Sequence, residues 1–379
     1  MIYLDNNATT PVCREALEAM TPFLTECWAN PSSGYRFARR AREAVELARQ
    51  QTAALLGAEP EEIVFTSCGT ESSNAAIQSA AALYPERKHL VTSAAEHEAT
   101  LVPCEELEKR GYGITRLGVN REGLIDLGEL ERSIRSNETA LVSLIWANNE
   151  TGVLQPIAEA AEIAQAKGVL FHTDAVQAAG KMAIDLGAIS VHYASFSGHK
   201  FHAPKGIGAL YIKKTVRFHP WLLGGGQESG RRSGTLNVPY IVSLGAAAEA
   251  ARSHREDGNK AAECRDFFES EIQRRIEGVQ IHGTGAPRLS NTSNIRIDGV
   301  DAQGAIILLD NSGICVSSGS ACQTGAIQPS HVLTAMGLTP RQARETLRFS
   351  FSRMNTHDEV MQAVAALETA VKKLRITRK

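Results

Sequence analysis

Short apolar runs rich in β-branched and aromatic residues recur between about residue 60 and about residue 215. They are Ile63–Ser67, Leu90–Ser93, Ala140–Trp146, Val169–Thr173, Tyr193–Ser197 and Gly208–Ile212. Between them Ser72–Leu83, Ala99–Lys109 and Ile157–Lys167 carry helical spacing, and this strand–helix alternation predicts a mainly parallel sheet covered by helices. Upstream, Arg36–Leu56 repeats its apolar positions at helical period with charges on the opposite face. After Gly258 the register changes to a helix over Ala261–Ile276, a strand over Thr292–Ile297, a helix over Gln303–Asn311 and a last helix over Asp358–Leu374. The pattern divides the chain into a larger unit over 15–254 and a smaller α/β unit over 255–379, which the first 14 residues join. No internal repeat, low-complexity stretch or obvious linker interrupts it.

A chain of 379 residues suits two domains, and 43% hydrophobic with 22% charged residues is ordinary globular composition. The formal net charge of −2 argues against nucleic acid as a partner, because phosphate binding normally needs a basic excess. No apolar run reaches the roughly 18 residues of a membrane span. Met1–Asp5 offers neither the basic start nor the apolar core of a secretory signal. Seven cysteines, an odd number without a Cys-x-x-Cys pair, argue against a disulfide framework or a zinc site and point to a reducing cytoplasm.

One cysteine stands apart. Cys322 lies in Ser317-Ser318-Gly319-Ser320-Ala321-Cys322-Gln323-Thr324-Gly325, too rich in glycine and short hydroxyl side chains for a regular helix. The loop runs on to His331 before helical spacing resumes, which suits a thiol that works as a mobile nucleophile or sulfur carrier. Lys200 follows directly on a predicted strand, where α/β sheets bind ligands, and Asp174 ends another. A lysine able to form a Schiff base, together with an Asp able to pair with a pyridinium nitrogen, is what pyridoxal phosphate requires. Gly69 and Thr70 open a helix after Ile63–Ser67, either as a plain cap or as an anion cradle of backbone N–H groups. His97 follows Leu90–Ser93, where it is a surface histidine or a group that stacks on a flat ring and moves protons. Asn149 lies in an Asx-rich turn after Ala140–Trp146. The run 224–235 is glycine-rich and carries Arg231, Arg232 and Thr235, which suit phosphate across a subunit contact. Arg348 alternates with apolar residues, and its guanidinium fork suits a carboxylate.

Taken in order, Tyr3–Thr10, Asn30–Ser33, Phe65–Ser72, Trp146–Gly152, Phe171–Gln177, Ser197–Lys200, Gly230–Thr235 and Ser317–Cys322 make a specific set. Through them the chain resembles the pyridoxal-phosphate-dependent cysteine desulfurases of the NifS/IscS-like group over essentially its whole length, with Trp146–Gly152 closer to NifS. The resemblance implies an α/β fold-type I homodimer with a mainly parallel seven-stranded sheet in the large domain and a smaller C-terminal α/β domain. It implies that Lys200 holds the cofactor, Asp174 pairs with its ring nitrogen, His97 stacks on the ring and Gln177 meets its hydroxyl. Gly69, Thr70, Ser197 and His199 would bind phosphate, with Thr235 given by the partner subunit. Asn149 and Arg348 would hold the carboxylate of L-cysteine, and Cys322 would receive the sulfur as a persulfide. An iron–sulfur scaffold, nitrogenase assembly or tRNA thiolation would then take that sulfur. No resident metal is implied, although Cys322 would share a cluster transiently with a scaffold.

The chain departs from the family at Ser229, where Arg is usual, at Tyr35 (His), at Ala38 (Gly) and at Glu98. Cys315 replaces a usual Ala and reads as a buried strand residue. A long C-terminal docking tail is not expected, since the chain ends soon after the last helix. Two alternatives stand beside this reading. One is another enzyme of the same fold, such as an aminotransferase, a selenocysteine lyase or a kynureninase-like lyase. The other is a non-catalytic scaffold, which would have no use for Lys200 and Asp174.

Overall fold

The computed structural model describes residues 1–254, 258–318 and 328–376. At its centre a seven-stranded sheet runs, edge to edge, Ile63–Thr66, Gly208–Ile212, Tyr193–Ser197, Leu170–Asp174, Thr139–Ile145, His89–Ser93 and Gly113–Leu117. Gly208–Ile212 is antiparallel to both neighbours, and the other pairings are parallel. Six of the strands are buried at every position because helices cover both faces, which is why they read as continuous apolar runs. The seventh, Gly113–Leu117, has a half-exposed edge position and contains Gly113 and Arg116; its sequence gives no strand signal.

Helices Arg39–Leu56, Arg14–Thr25 and Val238–Ser253 form a layer against this sheet. The last two carry weak sequence signals. Arg14–Thr25 contains Pro22, and Val238–Ser253 is alanine-rich and apolar over most of its circumference. Gly245 has a packing reason, because a Cβ there would lie 2.5 Å from the Ala48 main chain of the facing helix.

The glycine-rich run 224–235 is pinned. Glu228, buried, accepts from Arg49 Nη2 at 2.7 Å, from Arg49 Nη1 at 2.9 Å and from the Phe65 N–H at 2.8 Å. Glu228 and Ser229 both take left-handed backbone (φ 48° and 56°), a conformation sustained here by that buried bidentate pair.

A separate apolar cluster unites Phe268, Ile272, Ile295, Leu347, Phe349, Phe351, Val364 and Leu367 with Ile2 and Leu4 from the N-terminus. Its strands Val279–Ile281, Thr292–Ile297 and Thr346–Ser350 pair antiparallel. Ile2–Tyr3 pairs parallel with Ile314–Cys315, which sets the first residues on this smaller cluster. Cys315 is half-buried there, opposite Tyr3, where burial was expected. A two-residue strand has too little sheet around it to cover the side chain.

Candidate functional site

The parallel strands deliver their C-terminal ends to one edge of the sheet, and the turns that follow line a cavity of about 470 Å³. Gly69, Thr70, His97, Asn149, Asp174, Gln177, Ser197, His199, Lys200 and Arg348 all border it. Thus ten residues singled out in the sequence, from five strand-end loops and one strand of the smaller unit, meet in one place.

One end suits an anion. Helix Gly69–Leu83 begins at the cavity with no side-chain cap, so its first N–H groups are left for a ligand. A Cβ at Gly69 would sit 2.5 Å from Val176 Cγ2, so only glycine lets the turn after Asp174 approach this helix start. The acid in that first turn, Glu71, is already neutralised by Arg232 at 2.8 Å, which holds its carboxyl below the usual range despite burial. Arg232 is thus engaged with Glu71 within its own chain through Nε and Nη2. His199 closes this end, its Nδ1 3.1 Å from Thr9 Oγ1, and burial beside Lys200 pushes it down to about 4, so the ring is neutral at pH 7.

The middle holds the titratable groups. Lys200 Nζ donates to the carbonyls of Asn7 (2.7 Å) and Ala8 (2.8 Å), and burial near Arg348 lowers its pKa to about 8. Asp174 accepts from the Val176 N–H at 3.0 Å, and burial raises its pKa. His97 caps helix Glu98–Lys109 by accepting the Ala99 N–H on Nδ1 at 3.0 Å. That bond fixes the neutral tautomer with the proton on Nε2. Gln177 donates through Nε2 to Asn7 O at 2.9 Å and accepts on Oε1 from Lys181.

At the other end Arg348, 4% exposed, donates from Nη2 to Asp5 Oδ1 at 2.7 Å and from Nη1 to Asn149 O at 3.0 Å. Its Nε is buried without a partner. The main chain of Arg348 also pairs with Ser317. Val316, Ser317 and Ser318 complete that wall of the cavity. Cys322 and its neighbours 319–327 lie outside the described residues. Past them, Ser330 Oγ donates to buried Glu150 at 2.6 Å, and the His331 ring binds the Glu96 carbonyl at 2.8 Å.

This donor set fits pyridoxal phosphate. Asp174 is a buried carboxyl with one N–H donor and no ion pair among the described residues, and a protonated ring nitrogen supplies the missing countercharge. Thr235 is exposed and does not border the cavity of its own chain. Sequence reasoning gave no role to Asn7, yet it is the hub of the site. Its backbone carbonyl serves Lys200 and Gln177, and its amide reaches Asn149 O and Thr292. The only signal available was its place in Tyr3–Thr10, because a backbone acceptor leaves no compositional mark.

Comparison with known proteins places this geometry among relatives. Residues 2–363 match the family model described as aminotransferase class-V. A protein of Trichormus variabilis named cysteine desulfurase 2 is 48% identical over 375 residues, covering 99% of this chain and 94% of its own length. A solved structure titled NifS-like protein superposes with a TM-score of 0.92 at 37% identity, covering 98% of this chain and 99% of that one. Another, titled SspA in complex with cysteine, has a TM-score of 0.83 at 36% identity and covers 94% of this chain and 100% of its own.

Proposed function

The chain belongs to the class-V aminotransferase family and is a cysteine desulfurase, and from that premise we propose that it moves the sulfur of L-cysteine onto Cys322 as a persulfide. The carrying observation is that Lys200, Asp174, His97 and Arg348 converge on one cavity. Pyridoxal 5′-phosphate, held covalently by Lys200, would supply an electron sink for charge developing at the substrate Cα. Gly69, Thr70, Ser197 and His199 would hold its phosphate, Asp174 its ring nitrogen and Gln177 its hydroxyl.

The residues then divide the work. Arg348 and Asn149 receive the cysteine carboxylate, and the structure titled SspA in complex with cysteine supports that substrate. Lys200, with its pKa brought to about 8, exchanges a proton at the substrate Cα near neutral pH. His97, its Nδ1 taken by the Ala99 N–H and its proton on Nε2, can give that proton up as the carbon–sulfur bond breaks. Cys322 Sγ forms a bond to the substrate sulfur as the carbon–sulfur bond breaks, so that L-cysteine and the thiol become L-alanine and a Cys322 persulfide. The scaffold alternative has no place for a lysine and a carboxyl so arranged.

The test is Cys322→Ala. After a brief incubation with sulfur-labelled L-cysteine and desalting, wild-type protein retains label that dithiothreitol releases. The variant retains none, while its visible absorbance still responds to cysteine. Reductant-labile label on the variant would sink the assignment of Cys322.

The protein is further read as a cytoplasmic homodimer that passes sulfur to an iron–sulfur scaffold or another acceptor. No helix among the described residues is long and apolar enough to cross a membrane. Trp28, Tyr35, Phe37 and 221–223 expose large apolar side chains, with Leu223 at 73%, which a subunit contact would cover. Thr235, exposed twelve residues after Leu223, is read as the group given to a partner's phosphate. Sedimentation equilibrium is expected to give twice the mass of one chain, and Leu223→Glu with Trp221→Glu to give a monomer. A wild-type monomer at micromolar concentration would refute the dimer.

A further inference from the structure

The site contains a second buried carboxyl to which the reaction gives no task. Glu96 precedes His97, is 1% exposed and lies in the turn between His89–Ser93 and helix Glu98–Lys109. Its Oε1 accepts from Ser93 Oγ at 2.7 Å and from the Ile145 N–H at 2.9 Å. Its Oε2 is buried with no partner. Ile145 is the register partner of Asp174 in the adjacent parallel strand, and the Trp146 N–H donates to the Asp174 carbonyl at 2.9 Å. Glu96 therefore ties the turn bearing His97 to the strand that positions Asp174.

Resting on the reading above, we propose that Glu96 is a positioning residue. An uncharged carboxyl, it fixes the His97 turn against the Thr139–Ile145 strand and leaves to Asp174 the negative charge that would face the cofactor's ring nitrogen. Burial favours the acid form and outweighs the two hydrogen bonds from Ser93 and the Ile145 N–H, which favour the anion. Asp174 faces it from the Leu170–Asp174 strand, and Cys104 from helix Glu98–Lys109, its own thiol pushed up to about 12 by burial. His97 follows it in the chain, and the His331 ring is spent on its main-chain carbonyl. No Lys or Arg side chain among the described residues pairs with it. Ionised, Glu96 would place an unsolvated charge on an orphan oxygen and a second anion beside Asp174; protonated, it leaves one hydroxyl unmatched, a far smaller cost. Burial, reinforced by Asp174, accordingly raises this carboxyl to about 8.

The stability consequence has a definite sign. The native acid keeps its proton up to about pH 8, whereas the unfolded acid loses it near 4.5, so the native state binds the extra proton across that window. Wild-type stability must therefore decline with rising pH relative to a variant that cannot ionise. Glu96→Gln keeps an acceptor oxygen for Ser93 and Ile145 and carries no charge. Urea unfolding of the holoenzyme from about pH 5.5 to about 8.5 is expected to show the E96Q midpoint gaining steadily on wild type. At pH 7 E96Q should keep activity within about threefold, while Glu96→Ala, which loses both acceptor bonds, falls more than about tenfold. The ratio of E96Q to wild-type kcat/KM should rise as pH increases past neutrality. A midpoint difference that is flat or reversed overturns the proposal, as does E96Q failing to fold or matching E96A. Borohydride treatment of the wild-type protein serves as the parallel control: absence of a visible absorbance that the reductant bleaches would refute the cofactor assignment, while the pH trend of E96Q still decides the state of Glu96.

Discussion

Lys200→Ala protein forms alanine from L-cysteine at least about 10⁴-fold more slowly than wild type, with an unchanged far-ultraviolet circular dichroism spectrum. Two roles vanish together: the covalent anchor of the cofactor and the base whose pKa is set to about 8. The fold has no comparable need of this side chain. Among the described residues its Nζ bonds to the carbonyls of Asn7 and Ala8; without it the Asn7 carbonyl keeps its Gln177 donor, and Ala8 is exposed. The stability change even has the opposite sign. Native Lys200 gives up its proton near pH 8 and the unfolded lysine near 10.5, so below pH 8 the fold bears the cost of a desolvated ammonium. That cost disappears as pH rises toward 10.5, and it is absent from the variant. With the cofactor removed from both proteins, Lys200→Ala should unfold at a denaturant concentration equal to or above that of wild type at pH 7, the gap closing toward pH 10. Residual turnover above about 1% of wild type would show that Lys200 is not the reacting lysine.

Such a trade of stability for reactivity was partly legible in the sequence. Lys200, Asp174, His97 and Asn149 stood out because each follows an apolar run, and a parallel sheet gathers its strand ends. The six strands buried on both faces were equally plain, because burial leaves continuous apolar runs, while Gly113–Leu117 at the wet edge left none. Other features are set by tertiary contact alone. Arg232 reads as a phosphate ligand until the fold brings Glu71 to it, 161 residues away in the chain. The glycine-rich run 224–235 reads as a flexible loop, but buried Glu228 and Arg49 tie it to the first strand of the sheet. The role of Asn7 is carried largely by its backbone, which composition does not encode. Cys322 is the converse case: it is conspicuous as a motif, yet it lies outside the described residues.

Arg348→Ala lowers kcat/KM for L-cysteine by about 10²- to 10³-fold, mostly through KM, corresponding to the roughly 2–5 kcal/mol lost when one partner of a buried charge pair is truncated. The geometry explains why the loss concentrates on substrate capture. Asp5 and the Asn149 carbonyl occupy Nη2 and Nη1 and hold the fork still, which leaves Nε as the buried donor without a partner on a side chain bordering the cavity. A substrate carboxylate satisfies that donor through a charge-assisted hydrogen bond. Arg348→Lys should recover little, because the three N–H groups of one Nζ radiate from a single atom and cannot span the separate positions that Nη2, Nη1 and Nε occupy. Arg348 also contacts the fold, through the Asp5 carboxylate and the Ser317 main chain. Cysteamine, which lacks the carboxylate, separates the two. If Arg348 serves the carboxylate, binding of cysteamine, read from the change in cofactor absorbance, is weak but nearly equal in wild type and Arg348→Ala. If the variant loses as much affinity for cysteamine as for cysteine, Arg348 acts through the fold and not through the substrate.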